Sequence, residues 1–375
     1  MAGPRRRGVL RYYRQFEGMS DEEVSEGLRR ASEERRRIAL ARVEPLDLSG
    51  TTWFEFPHPD VVSAVTYAAR RGINRYGDPH AATLRSELAH RHAVEPGRVA
   101  VGNGAAELLV AAAGALVEPG GELVIPWPSY PLYPLMAKRA GGRPVPVPGR
   151  DVETILEALT GATRAVVLCN PNDPTGAYTP VAQLRELLER LPDGVAVILD
   201  EALVDYVGAE PPGRSLELLD DFPQLLIVRT FSKAYGLAGL RCGYALGGSG
   251  SEKVLESLEP PLGVGVLAAA GGLAALRKCG PLIASRRAQI AAERNRLLAK
   301  LADRPVDAPP SEANVVWLSA AGIEGAELAR RLERYGVYVK PGAVFGASDH
   351  VRVQIQDAPA TERFLRALDG ALGGR

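Results

Sequence analysis

Short runs of Val, Ile, Leu and Ala recur through the middle of the chain, separated by longer stretches in which apolar positions return every three or four residues. The runs are RVAVG at 98–102, ELVIP at 122–126, RAVVLC at 164–169, VAVILD at 195–200 and LLIVRT at 225–230. Apolar on both sides of the pleat, they predict strands buried on both faces, as in a parallel sheet. LRSELAHRH (84–92), AAELLVAAAGAL (105–116) and PVAQLRELLERL (180–191) read as helices between them. This alternation, from about residue 60 to 250, predicts a large α/β domain with a mostly parallel sheet flanked by helices.

The two ends read differently. A long helix is predicted over 281–302, followed by strand-like ANVVWLS, helix-like GAELARRLERYG, and strand-like VYVKP and HVRVQIQ. That pattern makes a second, smaller α+β unit. Near the start, residues 20–43 predict a helix, with Ser20 and Glu23 at capping-box spacing, acids in the first turn and arginines in the last. Its apolar stripe (Val24, Leu28, Ala31, Ile38) is narrow, which places it on the surface or against a partner subunit. Residues 45–60, PLDLSGTTWFEFPHPD, read as an irregular linker. The expected division is 1–47 as N-terminal helix and arm of the small domain, 48–278 as the large domain, and 279–375 as the C-terminal small domain.

Composition narrows the function classes. Lys plus Arg and Asp plus Glu balance at 45 each, so nothing in the charge supports nucleic-acid binding. The RRR run at 35–37 is interleaved with acids and reads as a solvated helix face. Three cysteines without paired spacing argue against a disulfide framework or a zinc site and fit a reducing cytoplasm. His90 and His92, two apart, would leave a helix on different faces, so no metal is expected. No signal peptide is read at the start. The longest uncharged run, Pro260 to Leu276, is too short and too rich in Gly and Pro for a membrane span.

The chemistry gathers at the strand ends, where ligands of an open parallel sheet bind. VAVGNG leads straight into a helix at Ala105, whose free N–H groups suit a phosphate, although such a glycine turn alone is commonly only a turn. RAVVLC ends in NPNDPTG (170–176). VAVILD ends in Asp200, which by itself reads equally well as a helix N-cap before EALVDY. LLIVRTFS ends in Lys233, and a lone lysine there is usually a surface residue. Lysine is scarce, however: six of the 45 basic residues, against 39 arginines. Taken together, a phosphate cradle, an amide-or-acid turn, a buried acid and a lysine match pyridoxal 5'-phosphate. That cofactor needs a lysine for a Schiff base, a carboxylate against its ring nitrogen and a phosphate cup. Tyr130, in PWPSY at another strand end, is placed to lie over the ring.

NPNDPTG, DEA and SKAYGLAGLRCGY occur in that order. With them, residues 48–356 resemble a fold-type-I pyridoxal-phosphate aminotransferase of class I and II, of the histidinol-phosphate aminotransferase-like group. The resemblance implies Lys233 as Schiff-base lysine and proton carrier, and Asp200 as partner of the ring nitrogen. It implies Ser232, Arg241 and the N–H groups of Ala105 and Ala106 on the phosphate, and Tyr130 stacked on the ring. Tyr76 matches a tyrosine that reaches the neighbouring subunit's phosphate, which implies a homodimer. Arg352 resembles the arginine that grips the substrate's α-carboxylate. Lys340 stands where histidinol-phosphate enzymes tend to have an arginine for the substrate phosphate. Two positions depart from the family. Asp173 replaces an Asn and Leu203 a Tyr, both donors to the cofactor's phenolic oxygen; Asn172 or Tyr206 are candidates to take their place. The implied activity is cytoplasmic amino transfer between an amino acid, or an amino-alcohol phosphate such as histidinol phosphate, and a 2-oxo acid. The scaffold also hosts decarboxylases of amino-acid phosphates and non-catalytic cofactor-binding regulators. The latter usually carry an appended DNA-binding domain, for which the N-terminal segment shows no pattern.

Overall fold

A computed structural model describes residues 44–373 together with Glu26, Arg29 and Arg30. Those three are helical and exposed, with Arg30 paired to Glu26 one turn back. The rest of the helix expected over 20–43 lies outside the described residues.

In chain order the described elements begin with β1 (Leu46–Asp47), α1 (Pro59–Gly72), α2 (Ala82–His92) and β2 (Val99–Gly102). Next come α3 (Ala105–Leu116), β3 (Glu122–Pro126), α4 (Leu132–Arg139), β4 (Arg143–Val147), α5 (Val152–Glu157) and β5 (Thr163–Cys169). They are followed by α6 (Val181–Arg190), β6 (Ala196–Asp200), β7 (Leu225–Thr230), β8 (Gly243–Gly247), α7 (Glu252–Leu258), α8 (Val266–Lys278) and α9 (Gly280–Leu301). The C-terminal part adds β9 (Val306–Asp307), β10 (Val315–Ala320), α10 (Gly325–Glu333), β11 (Val337–Tyr338), β12 (Lys340–Pro341), β13 (His350–Gln354) and α11 (Ala358–Leu372).

Seven strands form the large sheet in the order β2-β8-β7-β6-β5-β3-β4. All neighbours are parallel except β8, which runs antiparallel to both β7 and β2. The apolar runs are buried on both faces because helices cover both. Ala165, Val167 and Ile198 face one apolar cluster with Leu108, Leu109 and Met136 of α3 and α4. Val166, Leu168, Val197 and Leu199 face the other, with Leu184, Leu187 and Leu188 of α6. An antiparallel pair can be joined by a short connection, whereas a parallel one needs a crossover. Residues 231–242, between β7 and β8, are therefore a loop held over the carboxyl end of β7.

Two strands of the large sheet escaped the sequence pattern. RPVPV forms β4 despite Pro144 and Pro146, because it pairs only with β3 at the sheet edge, where a missing N–H is tolerated. GYALG forms β8 although its glycines weaken strand propensity. PDVVSAVTYAARRG, likewise, forms α1 directly after the expected linker, with Pro59 in its first turn.

Strands β12, β13, β10 and β9 make a second, antiparallel sheet. VYVKP is not one strand: it breaks at Val339, so that β11 pairs with β1 and β12 pairs with β13. The expected linker is tied down here. The Leu48 N–H donates to the Tyr338 carbonyl and the Gln354 N–H to the Leu48 carbonyl, each at 2.8 Å. Among the described residues no single helix is long and apolar enough to cross a membrane, and no cluster of His, Cys, Asp and Glu could hold a metal. The three cysteines are unpaired and buried.

Candidate active site

Adjacent strands β5 and β6 finish level, with Cys169 opposite Asp200, and β7 runs two residues further, Asp200 lying opposite Val228. That register sets the 170–176 turn, Asp200 and the start of the 231–242 loop side by side. They open on a cleft of about 770 Å³, open solvent space included, whose lining includes Thr52, Ala105, Ala106, Tyr130, Asp173, Asp200, Leu203, Ser232, Lys233 and Arg241.

One end of the cleft is a cradle of donors. Helix α3 starts at Ala105 without a side-chain cap, so the N–H groups of Ala105 and Ala106 lack intrahelical partners. Arg241, itself at φ 54°, extends Nη1 to Ser232 Oγ (3.3 Å) and Nη2 to the Asn103 carbonyl (3.4 Å). Gly104, at φ 92°, lets the guanidinium lie against the backbone; a Cβ there would collide with Arg241. Gly104→Ala is therefore expected to displace Arg241 and lower affinity for a phosphate-bearing ligand by tenfold or more, with backbone strain of about 1–3 kcal/mol. Titrating cofactor into cofactor-free protein checks this.

The other end is acidic and dry. Asp200 is buried, and desolvation pushes its carboxyl up to about 6. The Tyr133 hydroxyl (2.8 Å), the Ala202 N–H (3.0 Å) and the charge of Lys233 oppose that rise. No helix follows Asp200; EALVDY gives only a 3-10 turn at Val204–Tyr206. Lys233 donates to Thr51 Oγ1. Burial lowers its amine below the ordinary lysine range, against the pull of Asp173. A lysine so shifted is closer to the free, nucleophilic amine. Tyr130 meets Tyr133 edge-on, ring centres 5.7 Å apart.

Asp173 lines the cleft, with one carboxylate oxygen committed to Arg352: Nη1 lies 2.5 Å from Oδ1. Arg352 itself is not part of the cleft lining and reaches it through Asp173. Its Nη2 donates to the Ser49 carbonyl at 2.6 Å, and its guanidinium lies 4.9 Å from the centre of the Phe345 ring.

Four other expected residues fall outside the cleft lining. Asn172 does not line the cleft: Oδ1 accepts from the Ser129 hydroxyl, and Nδ2 donates to the Pro128 carbonyl and Thr175 Oγ1, so its amide holds the turn together. Tyr206 is wholly buried with an unpartnered hydroxyl and also lies outside the cleft lining. Neither side chain is aimed at the cleft that Asp173 and Leu203 line. Lys340 sits opposite Arg352 on β12, half-buried and outside the lining. Tyr76 is 86% exposed on the loop after α1.

Sequence reasoning missed Tyr133 and Thr51. Tyr133 carried a signal, one helical turn after Tyr130 in YPLY. Thr51 had none beyond being a small polar residue in a segment read as irregular.

The donor cradle, the buried carboxylate and the amine between them fit a flat ring with an anionic tail and a basic nitrogen, which is the donor set pyridoxal phosphate requires. The chain's similarities agree. Residues 38–368 match the sequence model of the aminotransferase class I and II family. The chain is 37% identical to an aromatic amino acid aminotransferase of Corynebacterium efficiens, over 85% of this chain and 91% of that protein. It is 33% identical to histidinol-phosphate aminotransferase 2 of Carboxydothermus hydrogenoformans, over 89% and 92%. Its fold superimposes with a TM-score of 0.79 and 27% identity on histidinol-phosphate aminotransferase from Sinorhizobium meliloti in complex with pyridoxal 5'-phosphate, over 90% and 94% of the two chains. The chain belongs to the class I and II aminotransferases and is a pyridoxal-phosphate-dependent transaminase.

Proposed function

We propose that this cleft moves an amino group from a small amino donor to a 2-oxo acid, with Lys233 carrying the proton and Asp200 holding the cofactor's ring nitrogen in its protonated form. The observation that supports this best is a half-buried lysine and a buried carboxylate, both lining one cleft whose far end is an uncapped helix start. When bound, pyridoxal phosphate supplies an electron-poor ring that accepts the electron pair left when the donor loses its α-proton. Lys233 Nζ takes that proton and returns it elsewhere, a task for which its lowered basicity suits it. Ser232, Arg241 and the N–H groups of Ala105 and Ala106 would hold the phosphate, and Tyr130 would cover the ring. Arg352 and Lys340 would face the donor.

Tyr76 would act from a second copy of the chain. Its exposure, and that of Tyr67 (62%), Ile73 (71%) and Leu262 (68%), supports a homodimer. The proposed division remains a large cofactor domain over 48–278, with the N-terminal arm and residues 279–375 as the small domain. Three unpaired buried cysteines support a cytoplasmic setting. A donor screen with a 2-oxo acid acceptor, spanning aromatic, aliphatic and amino-alcohol phosphate donors, tests the reading. Transfer of nitrogen without release of carbon dioxide supports it. Stoichiometric carbon dioxide with no transfer would instead mark a decarboxylase.

A further inference from the structure

Among the described residues, Lys233 Nζ has one hydrogen-bond partner, the Thr51 hydroxyl, and makes no ion pair. Asp173 and Asp200 act on the amine only from further off. The chain thus sets a hydroxyl, and not a carboxylate, against an amine that lines the cleft.

Thr51 is carried there by the second sheet. It is buried, and its carbonyl accepts from Asn314 Nδ2 at 2.9 Å, one residue ahead of β10. On either side of it, the Ser49 carbonyl accepts from Arg352 Nη2 at 2.6 Å and the Thr52 carbonyl from Gln354 Nε2, both on β13. Two residues on, the Trp53 ring centre lies 4.3 Å from the guanidinium of Arg286, whose Nη1 donates to the Ala234 carbonyl at 2.6 Å. Residues 49–53 are therefore fixed by both β10 and β13, and they are tied a second time to the 231–242 loop beside the lysine. Threonine adds a stiff first torsion, so the hydroxyl keeps its direction.

A lysine that moves a proton alternates between ammonium and free amine. A carboxylate partner would favour the ammonium alone and make its proton harder to give up. A hydroxyl accepts from the ammonium and, turned about its C–O bond, donates to the lone pair of the free amine. It can hold the nitrogen in either state. Without such a partner the four-carbon stem leaves the amine free to swing.

We propose that Thr51 is a positioning residue for the reaction: its hydroxyl holds the Lys233 amine at the cleft, in both protonation states, whenever that amine is not bonded to the cofactor. The role in turnover rests on the reading of Lys233 as the proton carrier; the contact itself does not.

Two measurements separate the contact from that reading. In cofactor-free protein, acetylation of Lys233 by acetic anhydride is followed by mass spectrometry, which six lysines in the whole chain make easy to resolve. Thr51→Val keeps the shape and removes the hydroxyl. It is expected to label about threefold faster or more, because the loosened amine loses the acceptor that favours its charged form. Thr51→Ser should label like wild type. In cofactor-loaded enzyme, L-phenylalanine carrying hydrogen or deuterium at its α-carbon is mixed with each protein, and the visible absorption is followed through one half-reaction. Thr51→Val is expected to slow this about tenfold, the scale of one hydrogen bond, with a primary isotope effect on the slowed step and unchanged donor affinity. Thr51→Ser should restore the rate. Circular dichroism verifies the fold and visible absorption the loading; should Thr51→Val fail either, Thr51→Ala takes its place. Unchanged labelling in the variant without a hydroxyl overturns the proposal and leaves the role of Lys233 standing. Faster labelling with an unchanged half-reaction means that the held amine does not carry the proton, and the reading of Lys233 falls. A Thr51→Ser protein as slow as Thr51→Val also overturns the proposal, since the hydroxyl would then not be the group that matters.

Discussion

Lys233→Ala is expected to yield a folded protein whose turnover is lower by about 10⁴-fold or more, since both covalent attachment of the cofactor and proton transfer depend on one amine. Borohydride reduction followed by mass spectrometry should find no cofactor bonded to the variant, whereas the wild-type chain should retain it. Normal turnover in the variant would remove Lys233 from the chemistry. The fold should survive because, among the described residues, Nζ bonds only Thr51 and because burial penalises its charge. The sign follows from that direction. A lysine whose amine is lowered on folding makes the charged form unfavourable, so its removal does not destabilise the cofactor-free protein at neutral pH. Any gain fades as pH rises toward the ordinary lysine range, where the unfolded chain also loses the proton.

Asp200→Asn should separate stability from activity. Burial raises this carboxyl from its ordinary 3.8 to about 6. Between those values the folded protein binds the proton and the unfolded chain does not, so stability falls as pH rises from about 4 to 6 and stays lower above. The penalty at pH 8 is on the order of 3 kcal/mol. Asparagine keeps one oxygen to accept from the Ala202 N–H, while its amide N–H can donate to a Tyr133 hydroxyl turned to accept, and it carries no charge. The cofactor-free variant should therefore unfold at higher denaturant concentration than wild type at pH 8, with the difference shrinking as pH is lowered toward 4. With cofactor present the order should reverse, because the carboxylate then gains a cationic ring nitrogen as partner. Turnover should fall by about 10²–10³-fold at least, the scale for losing one electrostatic contact made to the reacting group. Equal stability of the two cofactor-free proteins at pH 8 would mean that Asp200 is not held ionised against its surroundings.

How much of this was legible in the chain depended on what each residue is buried against. Strands β5, β6 and β7 lie inside the sheet with helices on both faces, so each carries an unbroken run of four or five apolar residues that announces itself. Strand β4 sits at the edge and carries two prolines, so its sequence resembles a loop, while β8 is short and begins and ends in glycine. Residues at strand ends were readable because an acid or a lysine is conspicuous after an aliphatic run, as with Asp200 and Lys233. The partners that set their properties were not. Thr51 comes from a segment without periodicity, 182 positions from the lysine it touches. Arg352 and Asp173 are 179 apart, and no local pattern says that a turn and a strand of another sheet will meet. Asn172 was misjudged for the opposite reason: its neighbour's departure made it conspicuous, while its amide is needed by the turn itself.

The register of β5, β6 and β7 makes assembly of the cleft an all-or-none matter. Side chains alternate across a strand, so a slip of β6 by one residue would send Asp200 to the opposite helix layer and bring Leu199 or Glu201 to the mouth of the cleft. Such a slipped chain would hide most of the same aliphatic surface and could not be told from the correct one by compactness alone. Capture of the cofactor, which requires the acid and the lysine on the same side, would tell them apart. In refolding, return of visible colour should thus lag behind recovery of secondary structure whenever misregistered species accumulate, and the ligand itself acts as the proofreader of strand alignment.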